Sequence, residues 1–169
     1  IYSYKDIGKN KIISAKKYIK KMNPDVNLTC FNKKLNKKNC SQLILNTNLV
    51  IDGTDNWETM LNINDYCVNK NIPLLNASVL GYDGNFAIFE NSKKNHLCFR
   101  CIFPNEKKIN IPRCETVGVL GTTAGIIGLL SAHKIINFLT SKKIKSNKMT
   151  FFFGKNLTFK DITINSNPK

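Results

Sequence analysis

Leu49-Val50-Ile51-Asp52-Gly53-Thr54-Asp55-Asn56 is the stretch on which the reading of the fold turns. A brief apolar run from Asn48 to Ile51 stops abruptly at an acidic, glycine-containing turn. Immediately beyond it, Trp57, Met60, Leu61, Cys67 and Val68 fall on one face of a helix. A strand that passes through a tight turn into an amphipathic helix is one half of a βαβ unit, and ligands in such sheets sit beyond the carboxyl ends of the strands. Two carboxylates at that point can hold Mg²⁺ beside a nucleotide, because the ion takes a few carboxylates together with phosphate oxygens. The plainer reading is a helix cap, with Asp55 or Asn56 accepting backbone N–H bonds at the start of the Trp57 helix. Taken alone, the motif favours the cap.

Working outward, the pattern predicts a helix from about Lys9 to Met22, with Ile12, Ile13, Ala15, Ile19 and Met22 apolar, ended by Asn23-Pro24. A short strand is expected over Asn27–Phe31 and a short helix over Asn39–Leu45. After the Trp57 helix, Pro73 opens an apolar run to Leu80, and Gly81-Tyr82-Asp83-Gly84 marks a turn before a strand over Asn85–Phe89. Asn91–Glu115 reads as a long loop, a length that inside a compact domain points to function or disorder. A helix over about Thr122–Leu139 follows, then a hairpin from Met149–Phe153 and Leu157–Ile164. Strands alternating with helices predict an α/β fold with a largely parallel sheet and antiparallel strands added late.

The chain of 169 residues, 42% hydrophobic, suits one domain with its own core. Its formal charge of +15 raises the question of nucleic acid. The excess is almost all Lys, scattered and accompanied by much Asn and Ile, with Arg only at Arg100 and Arg113. Lys is the poorer group for phosphate forks and base edges, so the expectation is a solvated surface shaped by AT-rich coding DNA and no nucleic-acid partner. From Thr116 to Ala132 there is no formal charge, nearly a membrane span in length. Its Gly118, Gly121, Gly125 and Gly128, with polar Thr122 and Thr123, favour a helix packed closely on a sheet, and no membrane partner is expected.

Six cysteines without a secretory pattern read as reduced thiols, and the expected location is the cytoplasm. Cys30, Cys40 and Cys67 read as packing residues. Cys98-Phe99-Arg100-Cys101 has the spacing of half a tetrahedral zinc site, though four ligands are needed and no second pair is present. A redox role would ask for a helix at this pair, and no pattern predicts one there. Cys114 follows Arg113, whose charge would favour a thiolate, but the residues alone favour an exposed, idle thiol. Lys11 reads as one more lysine at a helix start. A P-loop and a G-x-G-x-x-G fingerprint are both missing.

In order and spacing these segments resemble the ThiF/MoeB/HesA adenylyltransferases, relatives of ubiquitin-activating enzymes. The matching stretches are Asp6-Ile7-Gly8-x-x-Lys11, Asn23-Pro24-Asp25, Leu49 to Asn56, Asn64-Asp65, Ile72-Pro73-Leu74, Gly81-Tyr82-Asp83-Gly84-Asn85, Cys98 to Pro104 and Cys114 to Gly121, with Gly125 and Gly128 beyond. The likeness spans nearly the whole chain. It implies one ThiF-type domain over 1–169 with a zinc and crossover loop at 91–115, and a Rossmann-like nucleotide fold.

The resemblance further implies that MgATP is bound and that the C-terminal glycine carboxylate of a ubiquitin-like sulfur carrier, of ThiS or MoaD type, attacks the α-phosphate. On the matching positions Asp55 is the Mg²⁺/ATP aspartate and a catalytic residue, Lys11 and Asn56 belong to the nucleotide site, and Cys98 and Cys101 are half of a structural Zn²⁺ site. Cys114 matches a crossover-loop cysteine that links covalently to the carrier in some members. A homodimer is implied as well. The family's glycine-rich ATP loop and catalytic arginines lie upstream of the segment matching Ile1, and its second Cys pair follows a strand like Leu157–Ile164. Both ends therefore read as cut. Three other readings stand beside this one: a sister enzyme adenylating another acceptor such as tRNA, a non-catalytic partner-binding remnant, and a basic nucleic-acid-binding domain.

Overall fold

The computed structural model describes residues 1–91, 97–103, 117–141 and 147–165. The chain folds as two compact units, Ile1–Leu35 and Asn36–Lys169. In the first, a single 3₁₀ turn (Tyr4–Asp6) leads to helix α1 (Lys11–Met22). Asn10 caps α1, its side-chain oxygen accepting the Ile12 N–H at 2.9 Å. The Asp6 carboxylate accepts the Ser3 hydroxyl at 2.7 Å, the Ser3 N–H at 2.9 Å and the Ser14 hydroxyl at 3.2 Å. These bonds, those from Ser3 foremost, hold its carboxyl down at about 2. The strand expected over Asn27–Phe31 does not form. Strand backbone must be paired, and the described residues of this unit offer no second strand.

The second unit runs α2 (Cys40–Leu43), β1 (Val50–Asp52), α3 (Trp57–Lys70), β2 (Leu74–Leu80), β3 (Asp83–Phe89), α4 (Phe99–Ile102), α5 (Gly121–Ser141), β4 (Lys148–Phe153) and β5 (Thr158–Thr163). The five strands form one sheet in sequence order. β1 and β2 are parallel, with Val50 opposite Leu74 and Asp52 opposite Asn76, and α3 makes the crossover between them. β2 to β5 form an antiparallel meander. The α/β class read from the sequence holds, but the sheet is not largely parallel: among the described strands β1 and β2 pair in parallel and the other three pairings are antiparallel, because the hairpin turn at Gly81-Tyr82 returns the chain directly beside β2.

The sheet is covered on both faces, and β2 and β3 are mostly apolar, with Asn76, Ser78 and Asn85 as polar exceptions on one face. On one face Phe86, Phe152 and Ile127 of α5 form a core flanked by Ala77 and Val79. On the other, Phe89 meets Phe99 of α4 edge-on at 6.4 Å. Helix α5 is long and apolar enough by length and composition to cross a membrane. Here its Thr123–Ile127–Ser131 stripe is buried, while Leu129 is 75% exposed.

The close approach expected of the helix glycines is found on the strand instead. A Cβ on Gly125 or Gly128 would meet open space, whereas one on Gly84 would lie 2.5 Å from Ile127 Cγ1. It is β3 that makes room for the helix. The start of α5 is pinned to the β2–β3 turn, where Gly81 N–H donates to Gly118 O and Leu120 N–H donates to Gly81 O, both at 3.0 Å. The Thr123 hydroxyl adds a bond to Tyr82 O at 3.1 Å.

Candidate functional site beside the β1–α3 turn

The turn after β1 separates its two carboxylates. Asp52 is 1% exposed. Its Oδ1 accepts the Thr54 N–H at 2.9 Å and the Thr54 hydroxyl at 2.7 Å, and its Oδ2 accepts Asn76 Nδ2 at 3.0 Å. With both oxygens committed, Asp52 fixes the turn and ties it to β2. The helix cap is made by Asn56, whose side-chain oxygen accepts the Thr59 N–H at 2.9 Å. Asp55, between them, is exposed and stands in the lining of a cavity of about 160 Å³. The alternatives left open for this motif thus resolve by residue: Asn56 caps, Asp52 braces, and Asp55 faces the cavity.

That cavity joins segments far apart in sequence. Asn76, Ser78 and Asn85 line it from the sheet, and Trp57, Phe99 and Phe103 supply aromatic walls. Trp57 lies 5.2 Å from Phe99 and 5.1 Å from Phe103 between ring centroids. Asp55 and the Cys98–Cys101 segment are therefore neighbours around one cavity. Asn64 and Asp65, which the sequence matched without giving them work, hold this segment in place. Asn64 Oδ1 accepts the Phe99 N–H at 2.8 Å. Asp65 takes Arg100 in a two-point pair, Nε to Oδ1 at 2.7 Å and Nη2 to Oδ2 at 2.9 Å. Burial pushes the Asp65 carboxyl up, but the Arg100 and Asn64 hydrogen bonds and the charges of Arg100 and Lys37 outweigh it and hold the group below its ordinary value.

The short helix α4, which no sequence pattern predicted, begins at Cys98. Burial, with the neighbouring Cys101 also contributing, pushes the Cys98 thiol up. Cys98 and Cys101 are not joined by a disulfide, and their Sγ atoms lie 3.6 Å apart. That is far beyond a disulfide bond and close to the edge of a sulfur tetrahedron around zinc, about 3.8 Å for Zn–S bonds of about 2.3 Å. The pair thus fits two corners of a zinc site, and no group of three or more metal-ligating side chains occurs among the described residues. Cys101 also lines a cavity of about 280 Å³ with Ile162, Thr163, Ile164 and Asn165 at the end of β5. For Mg²⁺, the exposed Asp55 carboxylate and the amide and hydroxyl oxygens around it are hard donors of the kind that ion takes.

Burial raises the thiols of Cys40 and Cys67, the latter to about 12, as expected of packing residues, whereas Cys30 is exposed and does not pack as expected. Lys11 is exposed at the first position of α1, in the N-terminal unit. Cys114 lies outside the described residues. Asn76, Asn85 and the bracing role of Asp52 were missed by sequence reasoning; the only signal was the presence of Asp52 and Asn85 in matched motifs.

The family model described as the ThiF family matches residues 1–169. The chain belongs to the ThiF family. Among its relatives, the SAMP-activating enzyme E1 of Haloferax volcanii is 27% identical over 165 residues, covering 96% of this chain and 60% of the relative. The sulfur carrier protein ThiS adenylyltransferase of Escherichia coli is 27% identical over 164 residues, covering 97% and 64%. This ThiF-family chain therefore spans less than two thirds of the length of the relatives it matches. Among solved structures, E. coli MccB shares the fold with a TM-score of 0.80 at 17% identity, over 99% of this chain and 51% of that one.

Proposed function

We propose that the protein serves an ATP-dependent adenylyltransferase that activates the C-terminal glycine of a ubiquitin-like sulfur carrier of ThiS or MoaD type, in thiamine or molybdenum-cofactor synthesis. The observation that carries the reading is the placement of Asp55. It lies past the carboxyl end of the parallel strand β1, free of the helix cap that Asn56 provides, and faces a cavity. The names of the relatives supply the reaction class, and that placement supplies a residue able to serve it.

In this reading the carrier's terminal carboxylate oxygen forms a bond to the α-phosphorus of ATP. The bond from that phosphorus to the oxygen bridging the β-phosphate breaks, and pyrophosphate leaves with the electron pair. No proton transfer is needed, and the difficulty is charge: an anion must approach a polyanion. Asp55 would hold Mg²⁺, which neutralises phosphate charge, and Lys11 would add a cation at the nucleotide. Asn56 acts by fixing the start of α3, and Asp52 by bracing the turn.

Cys98 and Cys101 would bind structural Zn²⁺ together with two further ligands entering by the cavity beside the end of β5. Cys114 is proposed as the thiol that links to the carrier, and the active form as a cytoplasmic homodimer. The test is mass spectrometry of ThiS- and MoaD-type carriers after incubation with the protein and MgATP. An adenylate on the C-terminal glycine of one carrier is expected. Unmodified carriers that nonetheless bind the folded protein would replace this reading with a partner-binding one.

A further inference from the structure

The thiols assigned to zinc and the aromatic wall of the cavity beside Asp55 belong to the same turn of chain. Helix α4 has four residues, Phe99–Ile102, with Cys98 as its N-cap and Phe103 as its C-cap. The Sγ atoms of Cys98 and Cys101 lie 3.6 Å apart, and Cys101 stands beside the end of β5. Phe99 and Phe103, interleaved with the thiols in sequence, line the cavity and meet Trp57 at 5.2 and 5.1 Å. The two rings also meet each other at 5.0 Å. Backbone bonds close the turn: Cys101 N–H donates to Cys98 O at 3.0 Å, and Phe103 N–H donates to Phe99 O at 3.1 Å. A displacement of the thiols is therefore a displacement of the rings.

A helix this short has no stability of its own, so its position is set from outside. Asn64 and Asp65 of α3 hold its first two residues, Phe99 by its N–H and Arg100 by its guanidinium. The Asn64 bond is buried, whereas the Arg100 and Asp65 side chains are 40% and 46% exposed, the setting in which an ion pair contributes least. An ion held at the thiols adds an anchor to those that α3 provides. We propose that metal loading at Cys98 and Cys101 sets the aromatic wall of the cavity beside Asp55, with Phe99 as the positioning residue that carries the coupling to Trp57. The inference rests on the zinc reading given above. Because such coupling is reciprocal, whatever seats the turn more firmly also tightens the metal.

Trp57 is the only tryptophan of the chain, so its emission under native conditions reads the position of the rings packed on it. The reduced, chelator-treated protein is titrated with Zn²⁺, with uptake measured by elemental analysis and far-UV circular dichroism recorded alongside. Uptake of about one ion per chain and a saturating shift of Trp57 emission are expected, with the circular dichroism unchanged. Cys98→Ser is expected to abolish both uptake and shift. Phe99→Leu is expected to take up the ion and to lose most of the shift; if that variant does not fold, Phe103→Leu is read the same way. Arg100→Gln, which loosens the turn while sparing thiols and rings, is expected to weaken zinc affinity about fivefold or more.

Zinc uptake that leaves Trp57 emission unchanged overturns the proposal and leaves the zinc reading in place. So does a shift that persists in the phenylalanine variant, or one accompanied by a change in circular dichroism, the mark of folding of the whole chain. An unaltered zinc affinity in Arg100→Gln overturns it as well. A protein that takes up no zinc removes the zinc reading and the coupling with it. Adenylation is decided separately, by the mass of the carrier.

Discussion

Replacing Asp52 by Ala would leave Asn76 Nδ2 and the Thr54 hydroxyl without their shared acceptor in a buried site. A loss of about 2–4 kcal/mol is expected, read from the urea midpoint, because the removed group takes several bonds with it. Asp55→Ala, three residues on and exposed, is expected to leave the midpoint within about 0.5 kcal/mol. Equal losses at the two positions would contradict the division of work between them. The sequence placed both carboxylates at a strand end, and that much was legible from the abrupt stop of an apolar run. What separates them is Asn76, 24 residues away, and no local pattern contains that partner. Asn85 was hidden for the same reason: its cavity is closed by rings from α3 and α4.

At the scale of elements, the glycines of β3 and α5 test how helix and sheet meet. Gly84→Ala drives a Cβ against Ile127 Cγ1 and within 3.1 Å of Ser78 O, and is expected to cost about 1–3 kcal/mol through overpacking. Gly125→Ala meets open space and is expected to raise stability by up to about 1 kcal/mol from helix propensity. Thermal melts of the two variants should move in opposite directions. The helix itself was legible as an uncharged run bounded by glycine.

Its packing glycine was not, because only the register of β3 against α5 shows where the two backbones approach. The α4 segment was invisible for a different reason. Four residues are too few for a periodic signal, and α4 is held by Asn64 and Asp65 from another helix. The folded Asp65 carboxyl is depressed below its ordinary value of 3.8, so its contribution is present above that pH and is lost as pH falls through the lower folded value. Trp57 packs on Phe99 and Phe103. Its emission is expected to shift on acidification below 3.8, and to shift less in Arg100→Gln; identical acid profiles would contradict the role given to this pair.

Across the whole molecule, the family likeness, the α/β class and most element positions were legible because each rests on local chemistry: turn residues, caps and the change of period from helix to strand. Asn27–Phe31, like α4, shows the limit of that reading, since an extended segment becomes a strand only where a neighbour pairs with it. The zinc pair was likewise legible as a spacing, while its seat between α3 and the end of β5 belongs to the sheet topology.

The central claim is that Asp55 faces the cavity to support adenylate formation, and ATP–pyrophosphate exchange tests it most directly. With ThiS- and MoaD-type carriers supplied in turn, the wild-type protein is expected to exchange with one of them, and Asp55→Asn, folded and of equal stability, is expected to lose about a hundredfold or more. Carrier-dependent exchange that survives in Asp55→Asn would contradict the account.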